Sequence, residues 1–465
     1  MENRKPGIRK IGKDSVFLVG AIFAALSLTH AGDLAYRKQQ VSTQYFSEGA
    51  DAGDFNKDGK PDIVSGPYWY EGPDFTVKHE YNTPKILDPA GGEYTTNFFE
   101  WAEDVDKDGW TDIVIIGLPG TQAYWYKNPG AADVNKPAVA WKQSLAIAEV
   151  GNESPMLADI NNDGKRELVF NTNDGYLGWA EPDAADPTAL WTFHRISPKG
   201  NQYRFTHGLG LGDINGDGRL DLLEMGGWWE QPASLAGDPV WTRHAQNFAL
   251  PAGGAQMFAY DIDGDGDNDV VSGQDAHGWG LAWFEQVRTA GEIKFLKHMI
   301  MGTRAEEAVY GAAFSQGHAL ALVDIDGDGL KDLVTGKRKW AHGPTGDVEP
   351  GAPCVLYAFQ LQRTLDSVKF VPHPLDSNSG IGTELQIRDV DGNGLGDILV
   401  GNKNGTFVFF KTGQSMAIRP RLMERGAFSP LLDGIRYDIR GATLTWGKAF
   451  SKKSVGQMNF TLARP

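Results

Sequence analysis

One nine-residue pattern recurs seven times along this chain: Asp, any residue, Asp or Asn, any residue, Asp or Asn, Gly, two residues, then Asp or Glu. It reads DFNKDGKPD from Asp54, DVDKDGWTD from Asp104, DINNDGKRE from Asp159 and DINGDGRLD from Asp213. It continues as DIDGDGDND from Asp261, DIDGDGLKD from Asp324 and DVDGNGLGD from Asp389. The copies begin 50, 55, 54, 48, 63 and 65 residues apart. Self-similarity at such a period means one supersecondary unit per repeat, with neighbours stacked to bury a shared core.

The residues after each loop give the unit its shape. The loop runs into a β-rich stretch and then an aromatic stretch: YWYEGP, YWYKNP, GWAEPD, WWEQP, AWFEQ, LYAFQ and FVFFK. Recurrence in every repeat marks these aromatics as packing residues. A further strand, in VKHEY, TFHRI, TRHAQ, LKHMI and VPHPL, carries His79, His194, His244, His298 and His373. Four short strands per repeat and seven repeats predict an all-β fold, a seven-bladed β-propeller with a calcium-binding loop in each blade. LAYRKQQVS fits the outer-strand slot and is expected to close the ring. The propeller is expected over residues 32–413, leaving 414–465 unassigned.

The loops carry the chemistry of a hard cation. Oxygens at positions one, three and five wrap the ion, Gly at six permits the turn, and position seven offers its carbonyl. Position nine is acidic in all seven copies. The expected ligands are Asp54, Asn56, Asp58 and Asp62; Asp104, Asp106, Asp108 and Asp112; Asp159, Asn161, Asp163 and Glu167; and Asp213, Asn215, Asp217 and Asp221. The remaining loops offer Asp261, Asp263, Asp265 and Asp269; Asp324, Asp326, Asp328 and Asp332; and Asp389, Asp391, Asn393 and Asp397. Up to seven structural Ca²⁺ are expected. An EF-hand would need Glu at position twelve between two helices, and only Glu224 meets the first condition.

Charge and targeting agree with an exported protein. A basic run from Arg4 to Lys13 precedes an apolar run from Val16 to Leu28, which reads as a signal peptide over residues 1–31. No other segment reads as a membrane span, so no membrane association is expected after cleavage. Removing the leader takes away five basic and two acidic side chains and deepens the net charge from −16 to −19. Such a surface repels nucleic acid. With Cys354 as the single cysteine, no intramolecular disulfide can form, and bound calcium is the expected stabiliser. A secreted or periplasmic location is expected.

The loops and their flanks, as in LGDINGDGRLDLL and LALVDIDGDGLKDLVTG, resemble FG-GAP/VCBS repeats over roughly residues 35 to 412. The same repeats build the integrin α-chain propeller, so they speak for fold and little for function. A narrower resemblance lies in THGLGLGDINGDG, GHALALVDIDGDG, TGKRKWAHG and IGTELQIRDVDGNG. These are similar to the propeller domain of aldos-2-ulose dehydratase and its bacterial relatives. That resemblance implies elimination of water from a keto-sugar such as 1,5-anhydrofructose or glucosone. The fungal member carries additional cupin domains, for which this sequence has no room, so a second, isomerase-like activity is not carried over.

Residues that break the repeat need a reason of their own. Four histidines lie outside the outer-strand slot: His207, His277, His318 and His342. His207 and His318 each precede the first Asp of their loop by six residues, a slot that holds Glu48 and Glu153 elsewhere, with Glu384 one residue off it. At about 3.3 Å per residue, that slot lies ~20 Å from the loops, at the other mouth of the channel. The following strand returns there and delivers Asp275, His277, Lys337, Arg338, Trp340 and His342.

Elimination beside a ketone needs a base, an electrophile for the enolate and an acid for the leaving hydroxyl. His207, His318, His277 and His342 are candidate acid–base groups, and Lys337 and Arg338 candidate enolate stabilisers. A catalytic divalent metal such as Zn²⁺, on His207, His318 and a Glu, is an equal alternative. The competing reading is a non-catalytic propeller that binds glycans or another protein. Serine hydrolysis finds no support, since no G-x-S-x-G elbow is present.

Overall fold

The computed structural model describes residues 34–413, apart from 201, 252 and 365–366, together with three short strands beyond them. The expected leader lies outside the described residues. The strands Ile435–Asp438, Thr443–Gly447 and Val455–Asn459 form an antiparallel three-stranded sheet in a separate unit. The rest of the tail lies outside the described residues.

Within residues 34–413 the elements are almost all strands, arranged as a β-propeller. Each repeat is an antiparallel meander of four: an inner strand before the acidic loop, a second strand after it, the aromatic strand and an outer strand. The second strands are buried at every residue, as in Asp112–Ile116, Glu167–Asn171 and Asp332–Gly336. Strands covered on both faces are selected for continuous Val, Ile and Leu.

The expectation of seven separate blades requires correction. Five separate four-stranded sheets form, and the repeats of Asp213 and Asp261 share one eight-stranded sheet. Their inner strands, Leu209–Gly212 and Met257–Tyr260, pair in parallel through Gly210↔Met257 and Leu211↔Phe258. Glycine is the reason. A Cβ on Gly210 would stand 2.0 Å from the Met257 carbonyl oxygen, and one on Gly212 2.2 Å from the Ala259 Cβ. Without side chains there, the two inner strands close to hydrogen-bonding distance.

The segment Tyr36–Ser42 pairs antiparallel with Gly405–Lys411, so the first strand completes the sheet of the last repeat. Its Lys38 also forms an ion pair with Asp376 at 2.8 Å.

The outer-strand histidines pack within their blades. His79, His194, His244 and His298 stack on Trp69, Trp179, Trp228 and Trp283, with ring centroids 4.0–4.4 Å apart. Each also places Nε2 2.7–3.3 Å from a carboxylate two residues past its tryptophan: Glu71, Glu181, Glu230 or Glu285. This W-x-E signal is plain in the sequence once the stack is known.

The position-nine acids, expected to face a cation, also staple the blade. Asp62 accepts N–H bonds from Phe55 and Gly72 at 3.0 and 2.9 Å. Asp112, Asp221, Asp269, Asp332 and Asp397 repeat both contacts in their own blades. Glu167 accepts from Ile160 at 3.0 Å. The acid therefore ties the loop to the third strand. It also remains beside its loop partners: Asp159, Asp163 and Glu167 offer oxygens within 4.8 Å of one another. The same spacing holds for Asp104, Asp106 and Asp108, and for Asp261, Asp263 and Asp265.

Candidate metal centre and active site

All four histidines that break the repeat meet at one place. His207 and His318 sit two residues before their inner strands, Leu209–Gly212 and Leu320–Val323, and are 1% and 0% exposed. His277 follows the second strand Asp269–Gly273, and His342 lies beyond Asp332–Gly336. The His207, His277 and His318 rings form a triangle with centroids 5.0, 5.3 and 4.8 Å apart. His342 stacks on His277 at 4.6 Å.

Four of the triangle's six ring nitrogens lack a hydrogen bond. His207 Nδ1 and Nε2, His277 Nδ1 and His318 Nε2 are buried and make no hydrogen bond. One nitrogen from each of the three rings lies within 4.8 Å of the others. Unpaired buried polar atoms are costly, so three rings converging on one point need a function. The tautomer of His318 is settled by its neighbour. Its Nδ1 is 3.2 Å from the Gln316 carbonyl, which can only accept, so Nδ1 carries the proton and Nε2 presents a lone pair. A ligating histidine is commonly oriented in this way. Burial, then the surrounding cationic groups, push His318 well below its ordinary value and His277 down to about 4. Both are therefore neutral imidazoles at neutral pH, as metal ligation requires. The triangle fits a divalent ion that favours nitrogen ligands. His207 and His318, expected to share a metal with a Glu, lie in the triangle with His277, and Glu153 stands 3.2 Å from His207 Nε2.

Glu153 borders the triangle. Its Oε2 is 3.2 Å from His207 Nε2 and 3.5 Å from an Arg338 nitrogen, neither aligned as a hydrogen bond. Burial alone would raise this carboxyl, but His207 and Arg338 outweigh it and hold it at about 2. Glu153 is thus an ionised, incompletely paired carboxylate at the cluster's edge.

The two residues expected to hold an enolate, Arg338 and Lys337, have partners of their own. Arg338 reaches the site with two of its nitrogens committed to a carboxylate. Its Nε and Nη2 bind Glu48 bidentately, both at 3.0 Å, and Lys403 and Tyr45 converge on the same carboxylate. A fully buried guanidinium needs such a partner. Lys337 points elsewhere, because neighbouring residues in extended backbone alternate sides. Its Nζ donates to Ser315 Oγ at 2.8 Å and to the Val348 carbonyl at 3.4 Å.

Those contacts fasten a strap, residues 341–350. Ser315 also donates to Val348 O, Trp340 Nε1 to Pro350 O, and Arg304 pairs with Glu349. Within the strap Asp347 accepts from the His342 backbone and lies 3.0 Å from its Nδ1. At the near end, the Tyr94 hydroxyl donates to the Ala341 carbonyl at 2.6 Å. Lys337→Met is expected to leave the metal content unchanged while amide exchange in residues 341–350 rises roughly tenfold, the scale of one or two lost buried hydrogen bonds. Hydrogen-exchange mass spectrometry checks this, and unchanged protection would contradict the strap's anchoring.

Strain collects at the same place. Phe205, Gln316 and Trp340 have φ of 70°, 65° and 51°, and each precedes a site histidine by two residues. Left-handed backbone at such residues costs ~1–3 kcal/mol each and persists where the surroundings enforce it, often at functional sites. At Gln316 the cause is visible: its carbonyl accepts from His318 N and Arg338 N, a tight turn that seats the histidine beside the arginine.

A sequence-family model for the FG-GAP-like repeat matches residues 104–170, 159–224 and 261–335. The chain thus carries FG-GAP repeats in a β-propeller arrangement. Comparison with curated proteins finds no match. Among solved structures, the chain is similar to BBS1N in complex with ARL6DN, at 12% identity over 82% of this chain and 96% of that one, with a TM-score of 0.42. It is also similar to the V. cholerae biofilm matrix protein Bap1, at 12% identity over 81% and 91%, TM-score 0.39. For rhamnogalacturonan lyase YesW the figures are 11% identity over 82% and 74%, TM-score 0.40. At these values the likeness says nothing of what this chain does.

Proposed function

We propose that this chain is a metal-dependent carbohydrate lyase that eliminates water from a keto-sugar such as 1,5-anhydrofructose or an aldos-2-ulose. In this reading the protein is exported, its loops hold calcium, and the eight-stranded sheet counts as two blades of a seven-bladed ring. The observation that carries the reading is the convergence of buried, unpartnered nitrogens of His207, His277 and His318 beside an ionised carboxylate. The sequence resemblance supplies the substrate class.

His207, His277 and His318 would hold the divalent metal, which when bound supplies Lewis-acid polarisation of the sugar carbonyl. Glu153 is the carboxylate placed to take the proton α to that carbonyl. The C–H electron pair becomes the C=C bond as the neighbouring C–O bond breaks. The hydroxyl departs as water after taking a proton from His342, which is exposed and oriented by Asp347. Arg338 acts on Glu153 and Glu48 and fixes the carboxylates in place. The test is to incubate the zinc-loaded protein with 1,5-anhydrofructose and glucosone and follow the ultraviolet absorbance of the enone product. Absence of product from any keto-sugar, with zinc bound, would count against the reading.

A further inference from the structure

Apart from the metal cluster, the second repeat and the connection before it line a cavity of about 440 Å³. Tyr94 joins cluster and cavity. It lines the cavity, its hydroxyl holds the strap at Ala341, and it stands within electrostatic reach of Arg338, Glu153 and Asp347.

The lining is distinctive for this protein. In a chain with 22% charged residues and a net charge of −16, no Asp, Glu, Lys, Arg or His among the described residues lines this cavity. Its walls hold Tyr94, Tyr124 and Tyr126 together with the amides of Asn82, Gln122 and Gln143. Asn82 and Gln143 each donate to the Tyr126 hydroxyl, at 2.9 and 2.7 Å, which fixes the amides along one wall. Tyrosine rings give flat apolar faces with a polar edge, and amides give paired donors and acceptors. An uncharged groove of this kind is complementary to a neutral saccharide: C–H faces against the rings, hydroxyls against the amides.

We infer that this groove is a glycan-binding subsite, and that it takes neutral sugar units attached to the ring held at the metal cluster. The inference rests on the proposed function for what happens at the cluster, but the groove's own binding does not need the metal. The substrate class deepens accordingly, from a free keto-sugar to one carried on a neutral oligosaccharide.

The test uses the full chain, with maltotriose, cellotriose and trigalacturonate as calorimetric probes and zinc content measured in parallel. A neutral trisaccharide is expected to bind at least tenfold more tightly than trigalacturonate. Tyr124→Ala and Gln143→Ala are each expected to weaken it by tenfold or more at unchanged zinc content. Tyr124→Phe, which keeps the ring, is expected to retain binding and guards against a folding artefact. Binding should also survive in a metal-free His207→Ala/His318→Ala double variant. If that variant loses zinc and still binds sugar, both the groove and the metal reading stand. If it keeps zinc and still binds sugar, the metal reading fails and the groove stands. Binding that vanishes with the metal places the ligand on the cluster and overturns the groove. So does a preference for trigalacturonate, absence of neutral binding, or indifference to Tyr124→Ala.

Discussion

Replacing His318 by Ala is expected to strip the site of zinc and to lower turnover of a keto-sugar by about 10²-fold or more, the usual scale for losing a catalytic group. His318 is the proposed ligand whose tautomer the structure fixes, through the Gln316 carbonyl. Removing it leaves two nitrogens, too few for a closed structural site or a three-ligand catalytic one. Folding should survive for two reasons. The residue belongs to no repeated packing position, and its buried Nε2 has no protein partner to lose. His277→Ala provides a second arm: His277 is only partly buried, and its loss should reproduce the metal defect with less risk to the core. Metal analysis and turnover on the same preparations check the prediction. A variant that keeps one equivalent of zinc with full activity would contradict it.

Excess chelator is expected to lower the melting temperature by roughly 10 °C. At ten times its dissociation constant, a cation that binds only the folded state adds about 1.4 kcal/mol per loop. Seven loops together then approach ~10 kcal/mol. With an unfolding entropy of ~2.1 cal/mol/K per residue over the propeller, this corresponds to a shift of that size. The carboxylates give the effect a pH signature. In the metal-free protein, burial and then neighbouring loop acids hold Glu167 at about 7, and burial leads the same rise to about 7 in Asp62 and Asp332. Unfolded carboxylates titrate at about 4, so between pH ~4 and ~7 the folded chain binds more protons than the unfolded one. Stability therefore falls as pH rises through that window. The melting temperature in chelator should drop from about pH 5 to about pH 8, and saturating calcium should narrow the gap. A melting curve indifferent to chelator at the upper end of that range would argue against structural cations.

Much of the site was legible because repeats supply an internal control. His207 and His318 stand where other repeats place Glu48, Phe98, Glu153, Ala255 and Thr383. One slot on several inner strands delivers side chains to one height, so their meeting followed from spacing alone. His277 and His342 were recoverable from the return of the second strand. Lys337 was not, because spacing places a residue along a strand and leaves its side open: Arg338 turns to Glu48 while Lys337 turns to Val348.

Tyr94 and Lys403 escaped for a different reason. Tyr94 belongs to the long connection after the first outer strand, where no repeat constrains its position. Lys403 follows the strand Asp397–Asn402 and joins the site through contacts with residues far away in the chain, Glu48 being 355 residues distant. The shared sheet of the fourth and fifth repeats had a readable sign in Gly210 and Gly212. A Gly at alternate positions of an inner strand permits close approach, but which neighbour approaches is set by the whole ring.

The metal centre stands or falls on His207, His277 and His318 holding one divalent ion between them. The most direct measurement is anomalous diffraction at the zinc edge from crystals of the protein prepared with zinc. The expected result is a single strong peak in the triangle of rings, with three nitrogens at about 2.0–2.1 Å. No peak there, or a zinc bound only by the acidic loops, would contradict it.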